Sequence, residues 1–80
     1  MSLKRPRQPM PDFVADALRE RGLEERYAER PPYQRNDYLG WINRAKRPET
    51  KLRRLEQMLD ELEAGGVYMR MKWSGGRRKG

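Results

Sequence analysis

Residues 38–54 read Tyr-Leu-Gly-Trp-Ile-Asn-Arg-Ala-Lys-Arg-Pro-Glu-Thr-Lys-Leu-Arg-Arg, and this stretch decides the fold that the sequence predicts. It joins the end of one helical pattern to the start of another, and Pro48 marks the junction. Proline is tolerated in the first turn of a helix and disrupts a helix interior, so a new helix begins at this point. The stretch therefore predicts two helices that meet at a corner rich in lysine and arginine.

Apolar residues on each side of this corner recur at the spacing of an amphipathic helix. The helix before the corner is predicted from residue 32 or 33 to residue 45, and its apolar stripe consists of Tyr38, Leu39, Ile42 and Ala45, with Trp41 at the edge. The helix after the corner ends at Gly65-Gly66, and its stripe consists of Leu52, Leu55, Leu59 and Leu62, with Met58 at the border. Both stripes predict packing into a common core.

Two further helices are predicted ahead of this pair. The first covers about residues 11–21 and ends before Gly22, a residue suited to the position after a helix. Its apolar stripe consists of Phe13, Val14, Ala17 and Leu18. The second is a short helix over residues 23–29 that can exist only if Leu23 and Tyr27 reach the core, because two helical turns are marginal alone. This part of the chain therefore adds one full helix and one short helix.

The chain length limits these helices to one small domain. Eighty residues allow a single domain, and a chain without cysteine cannot be stabilised by disulfides. Tight helix packing or a partner must then supply the stability. The predicted fold class is therefore all-α: a small bundle of three main helices plus one short helix over residues 10–66, with flexible basic termini.

Gly40 lies inside the third predicted helix. A glycine in a helix interior costs about 1 kcal/mol relative to alanine. Because glycine has no side chain, it leaves room beside the helix. We therefore predict that another helix, or a ligand, closely approaches the helix backbone at this position.

The ends of the chain differ in composition from the helical domain. Residues 1–9 contain two prolines and no apolar period, which predicts a flexible basic arm, and the glycine-rich residues 74–80 predict a disordered basic tail. Between them, residues 67–73 alternate in the manner of a strand. A lone strand has no sheet to join, so we interpret it as an extended docking segment that folds over the helices, pairs with a second copy, or adds to a partner's sheet. Its candidate docking residues are Val67, Met69, Met71 and Trp73.

The formal net charge of +7 is unevenly distributed along the sequence. Residues 1–9 contribute three cations and residues 67–80 contribute five, with no acid in either segment, whereas residues 10–66 hold eleven cations and twelve acids. Within that domain, residues 30–54 have eight cations and two acids. The domain is thus predicted to have a positive side, which either attracts an anion or an acidic partner or pairs internally with the acidic flanks.

Several function classes are disfavoured by residues that the chain lacks. It has no cysteine and no histidine, the usual ligands of zinc and the commonest general base. We therefore predict no metal site and no cofactor, and we expect that the protein is not an enzyme. No apolar run approaches the roughly 20 residues that span a bilayer, and no secretory signal follows the basic N-terminal residues. The expected location is the cytoplasm of a bacterial-type cell.

Charged residues cluster around the corner between the third and fourth helices. The candidate anion-binding or partner-binding residues are Trp41, Arg44, Lys46, Arg47, Glu49, Thr50, Arg53 and Arg54. Exposed cations beside a helix N-terminus suit a phosphate or a carboxylate. Alternatively, Glu49 pairs with Arg53 four residues later, and Glu56 and Glu61 lie near Arg53 and Arg54, which would give a solvated, salt-bridged corner.

Trp41 also has two interpretations. A tryptophan at the edge of an apolar stripe is typical of core packing, and we expect packing here. The alternative is an aromatic ledge formed with Tyr33 and Tyr38 beside the cations, as in proteins that bind single-stranded nucleic acid.

Four features of the sequence occur together in one protein family. In chain order they are the Ala17-Leu18 pair on a proline-led helix, Tyr38 ahead of Trp41-Ile42, the spaced pairs Ala45-Lys46 and Glu49-Thr50, and Arg53-Arg54 leading into a leucine-rich helix. With this pattern, residues 10–66 resemble the bacteriocin-protection, YdeI or OmpD-associated family. The resemblance implies a small helical bundle with a role in resistance to bacteriocins or cationic peptides, and it supplies no established catalytic residue.

The sequence therefore predicts a non-enzymatic binding or interaction module, similar to proteins linked to bacteriocin or cationic-peptide resistance. Its partner is expected to be a protein or another anionic molecule, and the chain itself to be a monomer or a weak homodimer. The alternative is a nucleic-acid-binding accessory protein that uses the basic 30–54 face and the basic termini.

Overall fold

A computed structural model describes residues 8–72 as four helices followed by a small hairpin. The elements are α1 Asp12–Arg21, α2 Glu24–Glu29, α3 Pro32–Arg44, α4 Pro48–Ala64, β1 Val67–Tyr68 and β2 Met71–Lys72. The predicted fold class is confirmed, with three main helices and one short helix. The predictions made for residues 1–7, for Trp73 and for the tail at 74–80 concern positions outside the described residues.

Prolines and glycines set the helix boundaries where the sequence predicted them. Pro32 and Pro48 occupy the first positions of α3 and α4, where a missing N–H is harmless. Gly22 and Gly65 follow α1 and α4 with φ angles of 67° and 86°, a left-handed conformation that costs glycine little. The backbone chemistry of these four residues therefore decides most of the helix lengths.

One core joins the apolar faces of the helices. Its fully or nearly fully buried members are Val14, Leu18, Leu23, Tyr38, Leu39, Ile42, Leu55, Met58, Leu59 and Leu62. Tyr27 packs against the edge of this core and Leu23 lies within it, as the short second helix requires. The predicted sharing of apolar stripes among α1, α3 and α4 is therefore confirmed.

The predicted stripes are wrong at two positions and incomplete at a third. Leu52 is 55% exposed and Phe13 is 36% exposed, whereas Met58 is completely buried. At the start of α4, Lys51 and Arg54 reach the end of α3 in place of Leu52. The buried face of α4 accordingly begins one turn later, at Leu55.

Within residues 8–72, Gly40 is approached by the N-terminal segment of the chain and not by another helix. A Cβ at this position would lie 3.3 Å from Gln8 Cγ and 3.3 Å from Arg44 Nη1. Gln8 N donates to Asn36 Oδ1 at 2.7 Å, and Asn43 Nδ2 donates to the Pro9 carbonyl at 3.2 Å. The prediction of a free arm over 1–9 is therefore wrong at its last two residues, because polar side chains of α3 bind their backbone.

We expect Gly40→Ala to raise the free energy of unfolding by about 0.5 kcal/mol. Alanine gains up to about 1 kcal/mol of helix propensity, and part of that is lost because the flexible side chains of Gln8 and Arg44 must each shift by a few tenths of an ångström. Urea denaturation followed by far-UV circular dichroism measures the difference. A lower stability than wild type would mean that the N-terminal segment cannot move aside.

Residues 67–72 form a hairpin, so the prediction of a single extended strand is wrong for these residues, whereas the interpretation that the segment folds over the helices is confirmed for them. Val67 pairs with Lys72 and Tyr68 with Met71, and the two residues between them make the turn. Met69 and Arg70 have φ angles of 51° and 65°. Such angles cost a non-glycine residue roughly 1–2 kcal/mol each, and two-residue hairpin turns with two positive φ angles are normally built from Asn-Gly. An interaction elsewhere must therefore stabilise this turn.

Candidate functional site

Two arginines from the α2 region bind the C-terminal end of α4. Arg26 Nη1 lies 3.2 Å from the Leu62 carbonyl and 2.8 Å from the Glu63 carbonyl, and Arg30 Nη2 donates to the Glu61 carbonyl at 3.0 Å. The last carbonyls of a helix lack partners within the helix and form the negative end of its dipole. These cations therefore stabilise the fold, and the short α2 is what positions Arg26.

The C-terminal end of α3 is bound in the same way by cations of α4. Arg54 Nη1 donates to the Trp41 carbonyl at 2.6 Å, and Lys51 Nζ donates to the Asn43 carbonyl at 3.2 Å. The Arg54 guanidinium also lies over the Trp41 ring, 5.3 Å from its centroid. Arg54 was predicted to be exposed, and this is wrong, because its side chain is half-buried against α3.

The remaining candidate cations point into solvent at the corner between α3 and α4. We call the four exposed cations Arg44, Lys46, Arg47 and Arg53 the corner cations. Among the described residues, the corner cations form one ion pair. It joins Arg47 to Glu49 at 3.9 Å, and both side chains are more than half exposed. Such an exposed pair contributes little free energy. The corner cations therefore keep most of their charge available to a partner.

Among the described residues, the salt-bridged corner that the sequence allowed is reduced to the weak Arg47–Glu49 pair. Within residues 8–72, Glu49 makes no ion pair with Arg53 and lies instead near Arg47. Glu61, predicted to lie near Arg53 and Arg54, is only 5% exposed and binds other groups. Helical spacing places two side chains on neighbouring positions, but it does not say whether a better partner lies on another element.

Thr50 and the start of α4 offer little to a ligand. The Thr50 and Lys51 N–H groups both donate to the Arg47 carbonyl, at 3.0 Å each, and no side chain caps the helix. Thr50 itself is half-buried, and Glu49 adds a negative charge to the same turn. The corner therefore attracts anions through its arginine and lysine side chains more than through the helix N-terminus.

Trp41 is a packing residue in this structure. It is half-buried against the core, and the Arg54 guanidinium covers one face of its ring. Tyr33 and Tyr38 are directed elsewhere, because their rings pack edge-on against Tyr68 with centroid distances of 6.0 and 5.4 Å. The packing interpretation of Trp41 is therefore confirmed, and the predicted aromatic ledge beside the cations is wrong.

Glu61 is the centre of a polar network that the sequence did not reveal. Its carboxylate accepts hydrogen bonds from the Tyr38 hydroxyl, from Gln57 Nε2 at 3.0 Å, and from the Met69 and Arg70 N–H groups at 2.8 Å each. Four donors satisfy a buried carboxylate that would otherwise be costly. Glu61 therefore belongs to the buried interior and not to the solvated corner in which the sequence placed it.

Tyr38 stays protonated in this network. Its burial, together with the hydrogen bond to Glu61 and the negative charge of that carboxylate, raises the pKa of Tyr38 far above its usual value. A protonated hydroxyl can donate to Glu61 at every physiological pH. One sequence signal could have indicated the network, because Glu61 follows the buried Met58 by three residues and so lies on the buried face of α4.

A comparison with protein families identifies the helical part of the chain. The model of the family described as bacteriocin-protection, YdeI or OmpD-associated matches residues 9–65. The chain belongs to this family. The match covers all four helices of this family member and ends before its hairpin.

Two other comparisons add no relatives. Neither a search of curated proteins nor a search of solved structures gave a match. Within residues 8–72, no helix of this family member combines the length and the apolar character needed to cross a bilayer. The family membership and the geometry of the corner are therefore the observations on which a function can be proposed.

Proposed function

We propose that this chain is a non-enzymatic binding module whose binding surface is formed by the corner cations. The supporting observation is the exposure of these four side chains, together with the single weak ion pair among them in the described part of the chain. Neighbouring cations such as Arg54 are bound to helix carbonyls and keep the backbone of the corner in place. A fixed backbone with free cationic side chains suits an anionic partner.

The arrangement of the buried polar groups supports a binding role over catalysis. Among residues 8–72 the buried polar or charged side chains are Arg30, Gln34 and Glu61. Glu61 already receives four hydrogen bonds, and Arg30 donates to Gln34 and to a helix carbonyl. General acid-base chemistry needs a group within hydrogen-bond reach of a substrate. Each of these groups already has partners within the fold, so we propose that the module acts by association alone.

The partner that we favour is an acidic protein segment. Binding of single-stranded nucleic acid commonly uses aromatic rings as stacking surfaces, whereas here one face of Trp41 is covered by Arg54 and the nearby tyrosines pack with Tyr68. The family description supports a role in protection against bacteriocins, to which we assign this binding. A cytoplasmic location stays a prediction.

The proposal is tested by titrating the isotope-labelled chain with an acidic peptide, a short DNA and a short RNA while recording amide chemical shifts. We expect the acidic peptide to shift the amides of residues 44–54 and the affinity to fall as salt increases. The double substitution Lys46→Ala, Arg53→Ala should weaken binding about tenfold, which corresponds to about 1.4 kcal/mol shared by two exposed charges.

A matched control removes the same net charge elsewhere. Arg19 and Lys72 are both exposed and lie outside the corner, so Arg19→Ala, Lys72→Ala should change the affinity less than twofold. An equal loss in both double variants would mean that net charge, and not the corner, attracts the peptide. Binding of DNA or RNA without binding of the peptide would establish the nucleic-acid alternative instead.

A further inference from the structure

The turn of the 67–72 hairpin is bound to the helices through one carboxylate. Met69 N and Arg70 N each lie 2.8 Å from an oxygen of Glu61, on two different oxygens. Met69 and Arg70 both have positive φ angles, and successive N–H groups in such a turn can form a concave anion-binding site. In this chain the anion that occupies the site is the buried side chain of α4.

Nothing else in the local chemistry favours this turn. Neither Met69 nor Arg70 is the glycine or asparagine that positive φ angles prefer, and the two strands contribute only two residue pairs. A two-stranded hairpin is marginal in water even with a favourable turn. The hairpin therefore depends on its contacts with the helices. At the turn the backbone N–H groups bind Glu61, and the Arg70 side chain adds a hydrogen bond to Gln57.

The base of the hairpin is held differently from the turn. The Tyr68 hydroxyl donates to Asp37 Oδ2 at 2.8 Å, and its ring packs edge-on against Tyr33 and Tyr38. These contacts keep β1 near α3 when the turn is free. Loss of the Glu61 contacts would therefore release the turn and β2 before the helical core unfolds.

We propose that the hairpin is an acid-sensitive lid on the α3–α4 surface, closed while Glu61 is ionised and opened when Glu61 is protonated. A protonated carboxyl loses acceptor capacity and gains an O–H donor, so it cannot accept all four of its present hydrogen bonds. Acidification opens the lid and neutral pH closes it. Opening uncovers the Tyr38 side chain, which is completely buried when the hairpin is docked.

The groups around Glu61 come from each element packed against it. Tyr38 of α3 donates to the carboxylate, and Gln57 does so from the same helix. Arg30 reaches the Glu61 backbone carbonyl from the segment after α2. Arg70 of the hairpin donates its Nε to Gln57 at 3.0 Å. Of these neighbours, the arginines stay cationic and Tyr38 stays neutral on acidification. The carboxylates that acid can protonate are Glu61 at the turn and Asp37 of α3 at the base of the hairpin, and of these two it is Glu61 that binds the turn.

Amide hydrogen exchange of the full chain tests the lid. At neutral pH, Glu61→Gln should raise the exchange rates of the amides at positions 69 and 70 at least tenfold, while the far-UV spectrum stays helical. Glu56→Gln is the matched control, because Glu56 is an exposed glutamate of the same helix, and it should leave those rates within twofold of wild type. Unchanged rates in Glu61→Gln would overturn the proposal.

An acid titration of the unaltered chain tests the same proposal without a substitution. The chemical shifts of the Met69 and Arg70 amides should change at a higher pH than the helical ellipticity and the shifts of core amides such as that of Ile42. This separation would support the lid even if Glu61→Gln failed to fold. A single transition shared by the turn, the core amides and the ellipticity would contradict it.

Discussion

Arg30→Met lowers the free energy of unfolding by about 3 kcal/mol, the largest polar effect that we expect in this protein. Arg30 is 4% exposed and donates to the Gln34 side chain at 3.1 Å and to the Glu61 carbonyl at 3.0 Å. Methionine fills much of the same volume but donates nothing, so Gln34 Oε1 is left buried without that donor. It also leaves the Glu61 backbone carbonyl at the end of α4 without the Arg30 donor, in a place that water does not reach easily.

The matched control for this prediction is Arg26→Met. Arg26 lies one helical turn earlier and binds the next carbonyls of α4, but its side chain is exposed, so water can replace its hydrogen bonds. We expect a loss of about 0.5–1 kcal/mol for this variant. Urea denaturation monitored by circular dichroism measures both. Equal losses would show that capping of the helix end, and not burial of the guanidinium, is the main contribution of Arg30.

Leu59→Ala is expected to lower the free energy of unfolding by about 3 kcal/mol. Leu59 is 2% exposed and lies among the core residues of α4. Its truncation removes apolar contact area and leaves a cavity that a small, close-packed core refills only in part. In a chain of only 80 residues such a loss is a large part of the total stability.

Leu52→Ala tests the same substitution in the same leucine repeat. Leu52 is 55% exposed, and we expect a change below about 0.5 kcal/mol. Thermal unfolding curves of the two variants, collected under identical conditions, give the comparison. Comparable destabilisation by the two substitutions would mean that Leu52 is buried in solution, for example by self-association, and the concentration dependence of the midpoint would then reveal the oligomer.

The sequence was sufficient for the helices because their boundaries depend on local chemistry. Pro32, Pro48, Gly22 and Gly65 begin or end helices through backbone properties that no tertiary contact needs to supply. The helical spacing of apolar residues predicted most of the core for a similar reason. This prediction was wrong at Leu52. The spacing shows which face of a helix is apolar, but it does not show where along the helix the neighbouring elements end.

The polar contacts could not be predicted to the same extent. Arg30 and Glu61 look like ordinary surface residues in the sequence, and their burial follows from the packing of α2 and the hairpin against the end of α4. The sequence predicted a cluster of charges at the corner. It did not predict which cations bind helix carbonyls and which ones stay exposed to solvent. That division depends on which side chains reach the carbonyls at the end of α3, a matter of tertiary geometry.

The arginines that bind helix ends make folding and association respond differently to ionic strength. Their acceptors are neutral carbonyl groups, and Arg30 is shielded from solvent, so added electrolyte weakens these contacts only slightly. Attraction of a distant anion by exposed side chains is screened strongly under the same conditions. A concentrated salt wash should therefore strip bound polyanions from the purified chain and leave it folded and ready to be tested for its own partner.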